Sequence, residues 1–169
     1  RNAKYCIRIR RKRNRRSNCK NNRMEIINYI LTKYYGIKEV EGQGYSPTIL
    51  NWVKKYFPMV NDDDIIPNCS ICLMEVYKEL GFGHLIKHCT PAAISWLQGG
   101  EDYFLEAAKP GDIVVLKRTG GNHVGILVRY SPYKKSVFLL GFNQNNQCNI
   151  SEYKTHLIKG IRRYELTSN

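Results

Sequence analysis

The sequence holds no run approaching the roughly 18 consecutive apolar residues of a membrane span, and no apolar stretch follows its basic start as a signal peptide requires. The expectation is a soluble domain. Because the chain opens on Arg1 rather than methionine, its localisation is not legible at that end. Acid is missing altogether from residues 1–23, which hold eleven of the 27 basic side chains, while beyond them 16 basic residues face 14 acidic ones. The net charge of +13 therefore belongs to an arm, and the body is nearly neutral. Cysteine is sparse: Cys6, Cys19, Cys69, Cys72, Cys89 and Cys148 are too thinly spread for a disulfide framework in a chain long enough to bury its own core. Only Cys6 and Cys19, inside the arm, make a pair worth expecting, and only in an oxidising compartment. Histidine is scarcer still, with His84, His88, His123 and His156 the complete set.

What remains is enough for one domain. With 169 residues and 43% hydrophobic content, the chain reads as an arm over 1–23 and a single globular domain over 24–169. The arm offers only Tyr5, Ile7 and Ile9 for burial among its charges, so it is expected to stay solvated or to bind something acidic. Apolar residues at helical spacing predict a helix from Met24 to Tyr35, and a second opens at Ser46-Pro47, uses Ile49, Leu50, Val53 and Phe57, and stops at Pro58. Thr90-Pro91 announces a short helix through Leu97. The period then changes to short β-branched and aromatic runs, Ile113–Lys117, Val124–Tyr130, Val137–Leu140, Cys148–Tyr153 and Ile161–Tyr164. Helices followed by antiparallel strands make an α+β order.

The stretch from Asp64 to Leu80 organises this reading. Pro67 and Asn68 resist a helical interior, so the spacing predicts a helix with Asn68 as cap and Cys69 in the first turn. A thiolate there is stabilised by unpaired amide N–H groups and by the helix dipole, which makes Cys69 a candidate nucleophile. The competing expectation is plain packing, since Cys69, Cys72, Leu73, Val76, Tyr77 and Leu80 share one helical face. A nucleophilic thiol needs a base, and the base needs a group to hold its ring. Of the four histidines, His123 alone starts an apolar strand, Gly121–Val128. The third group is Asn143 or Gln144, at the end of the next strand; an amide there accepts from the imidazole N–H and sets its tautomer.

These blocks, taken in order, resemble a known family. Gly36–Gly42, Asp64-x-x-Pro67-x-Cys69-Ser70, Pro110-Gly111-Asp112-Ile113-Val114-Val115, His123-Val124-Gly125, Leu140-Gly141-x-Asn143-Gln144 and Gly160-Ile161-Arg162-Arg163 look like a papain-like cell-wall hydrolase of the CHAP and NlpC type, similar to compact bacterial and phage amidases. The resemblance spans about residues 24–164. It implies a papain-like α+β fold and a peptidoglycan amidase or endopeptidase, acting at the bacterial cell wall without a cofactor. In it Cys69 attacks the amide, His123 moves the proton, Asn143 orients His123, and Glu39 and Gln144 border the substrate. Two positions depart from the family pattern: Asn68 stands where an aromatic residue is usual, and Phe142 where glycine is usual.

Three other expectations stay open. The same thiol and imidazole serve an acyltransferase if an amine replaces water. Cys69-x-x-Cys72, eleven residues, then His84-x-x-x-His88 imitates a zinc-finger spacing, for which the basic arm would supply nucleic-acid binding. A redox Cys-x-x-Cys lacks the βαβ context it needs. On the hydrolase reading the arm is an anchor to an acidic wall polymer, nucleic acid or a virion protein.

Overall fold

In the computed structural model, residues 23–38, 46–61 and 67–166 are described. The arm before Arg23, the Cys6–Cys19 pair and Glu39 lie outside them. Helix α1 runs through 23–33, α2 is Pro47–Lys54 and α3 is Cys69–Glu79. Ser46 caps α2, its hydroxyl accepting from the Ile49 N–H. The expected last turn, out to Phe57, lies beyond the α-helix: the Lys55 and Tyr56 N–H groups reach back three residues, to Trp52 and Val53, and the Phe57 N–H alone reaches back four, to the same Val53 carbonyl. Pro58 disfavours helical geometry in the residue before it, which tightens the exit. Helix α3 ends in a Schellman turn, with Gly81 at φ +80°, its N–H on Lys78 O and the Phe82 N–H on Tyr77 O. The short helix expected after Thr90-Pro91 is a 3₁₀ segment that starts later, at Ala93, and runs to Gln98.

The strands are β1 (Glu101–Asp102), β2 (Ile113–Arg118), β3 (Gly121–Ser131), β4 (Ser136–Gly141), β5 (Asn149–Lys154) and β6 (Ile158–Arg163). They form one antiparallel sheet in the order β1-β6-β2-β3-β4-β5. The mixed helix and antiparallel-sheet class expected from the period change is thus the class observed. A two-residue loop joins β2 to β3, placing Arg118 opposite Gly121 and Leu116 opposite His123. Among the described residues, no helix is long and apolar enough to cross a membrane.

Burial follows the strand alternation. Ile113, Val115, Val124, Ile126 and Leu140 join the three helices in the larger core, while Val114, Leu116, Leu127, Val137, Leu139 and Ile161 form a second core on the other face. Helix α3 is the centre of the larger one. It was expected to bury one stripe, yet every residue from Cys69 to Tyr77 is buried, because α2 and the sheet both pack on it. Glu75 is the cost of that position. Burial pushes its carboxyl up, but Lys55, Lys78 and Tyr56 all hydrogen-bond to it and hold it below the usual range.

The family-like blocks acquire structural jobs here. Asp112 of Pro110-Gly111-Asp112 is fully buried and takes a bidentate pair from Arg163, Nε to Oδ1 at 2.7 Å and Nη2 to Oδ2 at 2.6 Å. Its Oδ2 also accepts from the Lys109 N–H, and the Arg163 guanidinium lies 3.6 Å from the Tyr103 ring centroid. The two departures are filled positions. Phe142 is buried against Tyr34 of the α1 exit and Trp52 of α2, and Asn68 is buried with its Oδ1 accepting from Cys72 Sγ at 3.5 Å.

Candidate active site

Cys69 is the first residue of α3, and Asn68 occupies the cap position without capping the helix through its side chain. The expected cap bond is absent because the Asn68 carboxamide is turned onto Cys72 instead. The helix start is fixed from its other side by Ser70, whose hydroxyl donates to Thr90 O at 2.6 Å and accepts from Trp96 Nε1 at 2.9 Å. With 3% of its surface exposed, Cys69 lines a cleft of about 620 Å³ whose walls include Phe57, Pro91, Arg118, Asn122 and Asn143.

His123 comes to the same end of the sheet. Gly121 and Asn122, immediately before it, border the cleft, while the ring itself is wholly buried. In register with Leu116, it shares the face of the second core, and its ring packs at 5.7 Å against that of Tyr153. Val124 and Ile126, alternating with it, face α3.

The group on the imidazole is Gln144. Its Oε1 stands 3.2 Å from His123 Nε2, while its Nε2 is surrounded by oxygens: Asn149 O at 2.6 Å, Asn149 Oδ1 at 3.0 Å, Leu139 O at 3.2 Å and Gly141 O at 3.3 Å. Those oxygens can only accept, so the amide nitrogen must face them and the amide oxygen must face His123. An oxygen can only accept from His123 Nε2, so that nitrogen carries the proton. The Nδ1 lone pair is left over, buried and without a hydrogen-bond partner. Cys69 is therefore not hydrogen-bonded to His123 in this arrangement. Burial pushes the imidazole down to about 4, against the opposite pull of the Gln144 bond, and the nearby charge of Arg118 acts in the same direction as burial. His123 is neutral at pH 7.

Of the two adjacent amides, the structure joins Gln144 to His123 and sends Asn143 elsewhere. Asn143 has φ +55°, and its carbonyl and side-chain oxygens both accept from Arg118 Nη1, at 2.8 and 3.3 Å. Sequence reasoning missed Arg118, Asn122 and Tyr153. The Thr119-Gly120-Gly121 turn was the available signal for the first two, since a tight hairpin there sets both beside His123.

Two further thiols, one buried and one half-buried, are not among the residues lining the cleft. Burial pushes Cys148 and Cys89 up to about 12. His88 Nε2 lies 2.9 Å from Tyr164 OH, which itself donates to Trp96 O. Cys69, Cys72, His84 and His88 do not converge as the zinc-finger spacing suggested, and no three metal-ligating side chains among the described residues are placed to hold an ion.

No protein-family model matches the chain, and no curated protein matches it at a significant level.

Proposed function

We propose that the protein is a cysteine-dependent hydrolase of the papain-like CHAP and NlpC type, cutting amide bonds of the peptidoglycan stem peptide or its crosslink at the bacterial cell wall. One observation carries this reading: burial keeps His123 neutral, and the caged Gln144 amide leaves it protonated on Nε2 with a free Nδ1 lone pair, at the end of the sheet where a cleft holds Cys69. A histidine needed only for packing gains nothing from a buried unpaired nitrogen, which costs about 1–3 kcal/mol.

In this mechanism His123 Nδ1 takes the Cys69 thiol proton as the sulfur attacks the amide carbonyl. The Cys69 N–H at the start of α3 stabilises the developing oxyanion. His123 Nδ1–H then protonates the departing amine, and water, deprotonated by the same nitrogen, releases the acyl group from sulfur. Gln144 holds the ring throughout, the role the family resemblance gave to Asn143. Because Nδ1 is unpartnered at rest, substrate filling the cleft must bring sulfur and nitrogen within hydrogen-bond reach, as catalytic contacts commonly tighten on binding. Glu39 remains a candidate at the substrate border, and the basic arm a candidate anchor to acidic wall polymer, nucleic acid or a virion protein.

Digestion of purified peptidoglycan tests this. Wild type should release fragments with a zinc chelator present, their new termini naming the bond, while Cys69→Ala should lose roughly a thousandfold or more of that activity. Cys72→Ala should retain it. Loss with Cys72→Ala and retention with Cys69→Ala would overturn the assignment of the nucleophile.

A further inference from the structure

Arg118 ends β2 and lines the cleft together with Cys69. Exposed arginines are ordinarily solvated and contribute little, but this one is held. Its Nη1 donates to both Asn143 oxygens, which fixes the plane of the guanidinium and leaves the Nε and Nη2 hydrogens for another acceptor. Among the described residues it joins no ion pair, and none of those lining the cleft is a carboxylate. The other polar side chains among the described lining residues include Thr119, Asn122, Asn143 and Asn146, all uncharged. A positioned cation beside a histidine that must accept a proton opposes that step, unless an anion arrives with the substrate.

We propose that Arg118 determines specificity by binding a carboxylate of the substrate next to the bond that Cys69 attacks. The substrate class is then an anionic peptide, in which a free carboxylate flanks the scissile amide. The peptide part of this inference rests on the hydrolase reading; the anion preference of the cleft does not. Two planar hydrogen bonds from the free edge of the guanidinium match a carboxylate's two oxygens. Once neutralised, Arg118 no longer weighs against the imidazolium that forms as His123 takes the thiol proton.

Alkylation of Cys69 reads the anion preference without any turnover. In both iodoacetate and iodoacetamide the cysteine sulfur displaces iodide from the methylene carbon, forming an S–C bond and releasing iodide to solvent, and the two reagents differ in one carrying a carboxylate. With the modified peptide identified by mass, the iodoacetate to iodoacetamide rate ratio at Cys69 should be about tenfold higher in wild type than in Arg118→Gln, the span of one charge-assisted contact. Arg118→Lys should keep most of the excess, and salt should erode it. An unchanged ratio in Arg118→Gln would overturn the proposal, and so would an equal fall in both rates, which assigns Arg118 to bracing Asn143 alone. In parallel, peptidoglycan fragments whose carboxylate beside the cut bond is free or amidated should separate the same variants: Arg118→Gln should raise KM for the free-acid fragment only. A normal alkylation ratio with neither fragment cut would keep the anion site and reject the hydrolase reading.

Discussion

An amide nitrogen surrounded by oxygens has no freedom to turn over, and this is the situation of Gln144. Gln144→Ala should cost about 1–3 kcal/mol of stability, because buried carbonyls lose their donor. It should also lower kcat by roughly a hundredfold, the scale of lost general-base positioning. Asn143→Gly preserves the φ +55° turn and the carbonyl that Arg118 uses, so most of kcat should survive. Equal loss in both variants would reject the assignment of Gln144 to His123. Both amides were legible in the sequence as candidates for the third group, but not which one turns inward. That depends on the sign of one backbone angle, and asparagine tolerates the left-handed region more readily than glutamine. Read that way, Asn143 was the turn residue and Gln144 the one left to face His123. The imidazole sets the pH behaviour. Its folded value of about 4 lies below the ordinary 6.5, so between these the unfolded chain holds a proton that the folded chain does not. Stability from this group is complete above pH 6.5 and lost as pH falls toward 4, at up to about 1.4 kcal/mol per unit. Melting curves from pH 7 to 4 should show a slope that His123→Gln reduces, and turnover should fall on the acid side near pH 4.

At the scale of elements, periodicity was a good guide to what is helix and what is strand, and a poor one to how deeply each is buried. Helix α3 carries residues whose spacing marks one apolar stripe, but Ser70, Ile71, Met74 and Glu75 are buried too. A helix packed on both sides need not be apolar all round when its polar side chains find partners, and such partners are distant in sequence. Ser70 is an example. It joins the start of α3 to the Thr90 carbonyl and to Trp96, so the loop holding Pro91 and Ala92, part of the cleft wall, is tied to the element that carries Cys69. Ser70→Ala strands two groups and should cost about 1–3 kcal/mol in chemical denaturation. Trp96→Phe keeps the Thr90 bond but removes the indole N–H and part of a fully buried ring system, so its cost adds a cavity to the lost donor. A Ser70→Ala loss below about 0.5 kcal/mol would mean that packing, not the hydrogen bond, holds that wall.

Across the whole molecule, the first strand of the central hairpin and the last strand of the chain are locked by Asp112 and Arg163, 51 residues apart. The Pro-Gly-Asp and closing Arg-Arg blocks were legible as motifs, but their meeting was not, since nothing local in either predicts a buried partner so far along the chain. Asp112→Ala leaves a guanidinium without its counter-charge and should destabilise by roughly 3–5 kcal/mol in urea titrations. Alkylation of Cys69 by iodoacetamide in the folded range should be unchanged, because the pair lies outside the cleft lining. The encasement of α3 has a different consequence. A helix buried from Cys69 to Tyr77 is expected to release the amide hydrogens beyond its first turn only in large-scale openings of the domain. The Cys69 backbone thus stands at the head of the slowest-exchanging part of the protein, and any breathing that admits a ligand to the cleft belongs to the hairpin tip and to the loop around Pro91, leaving only side-chain rotation to carry the sulfur toward His123.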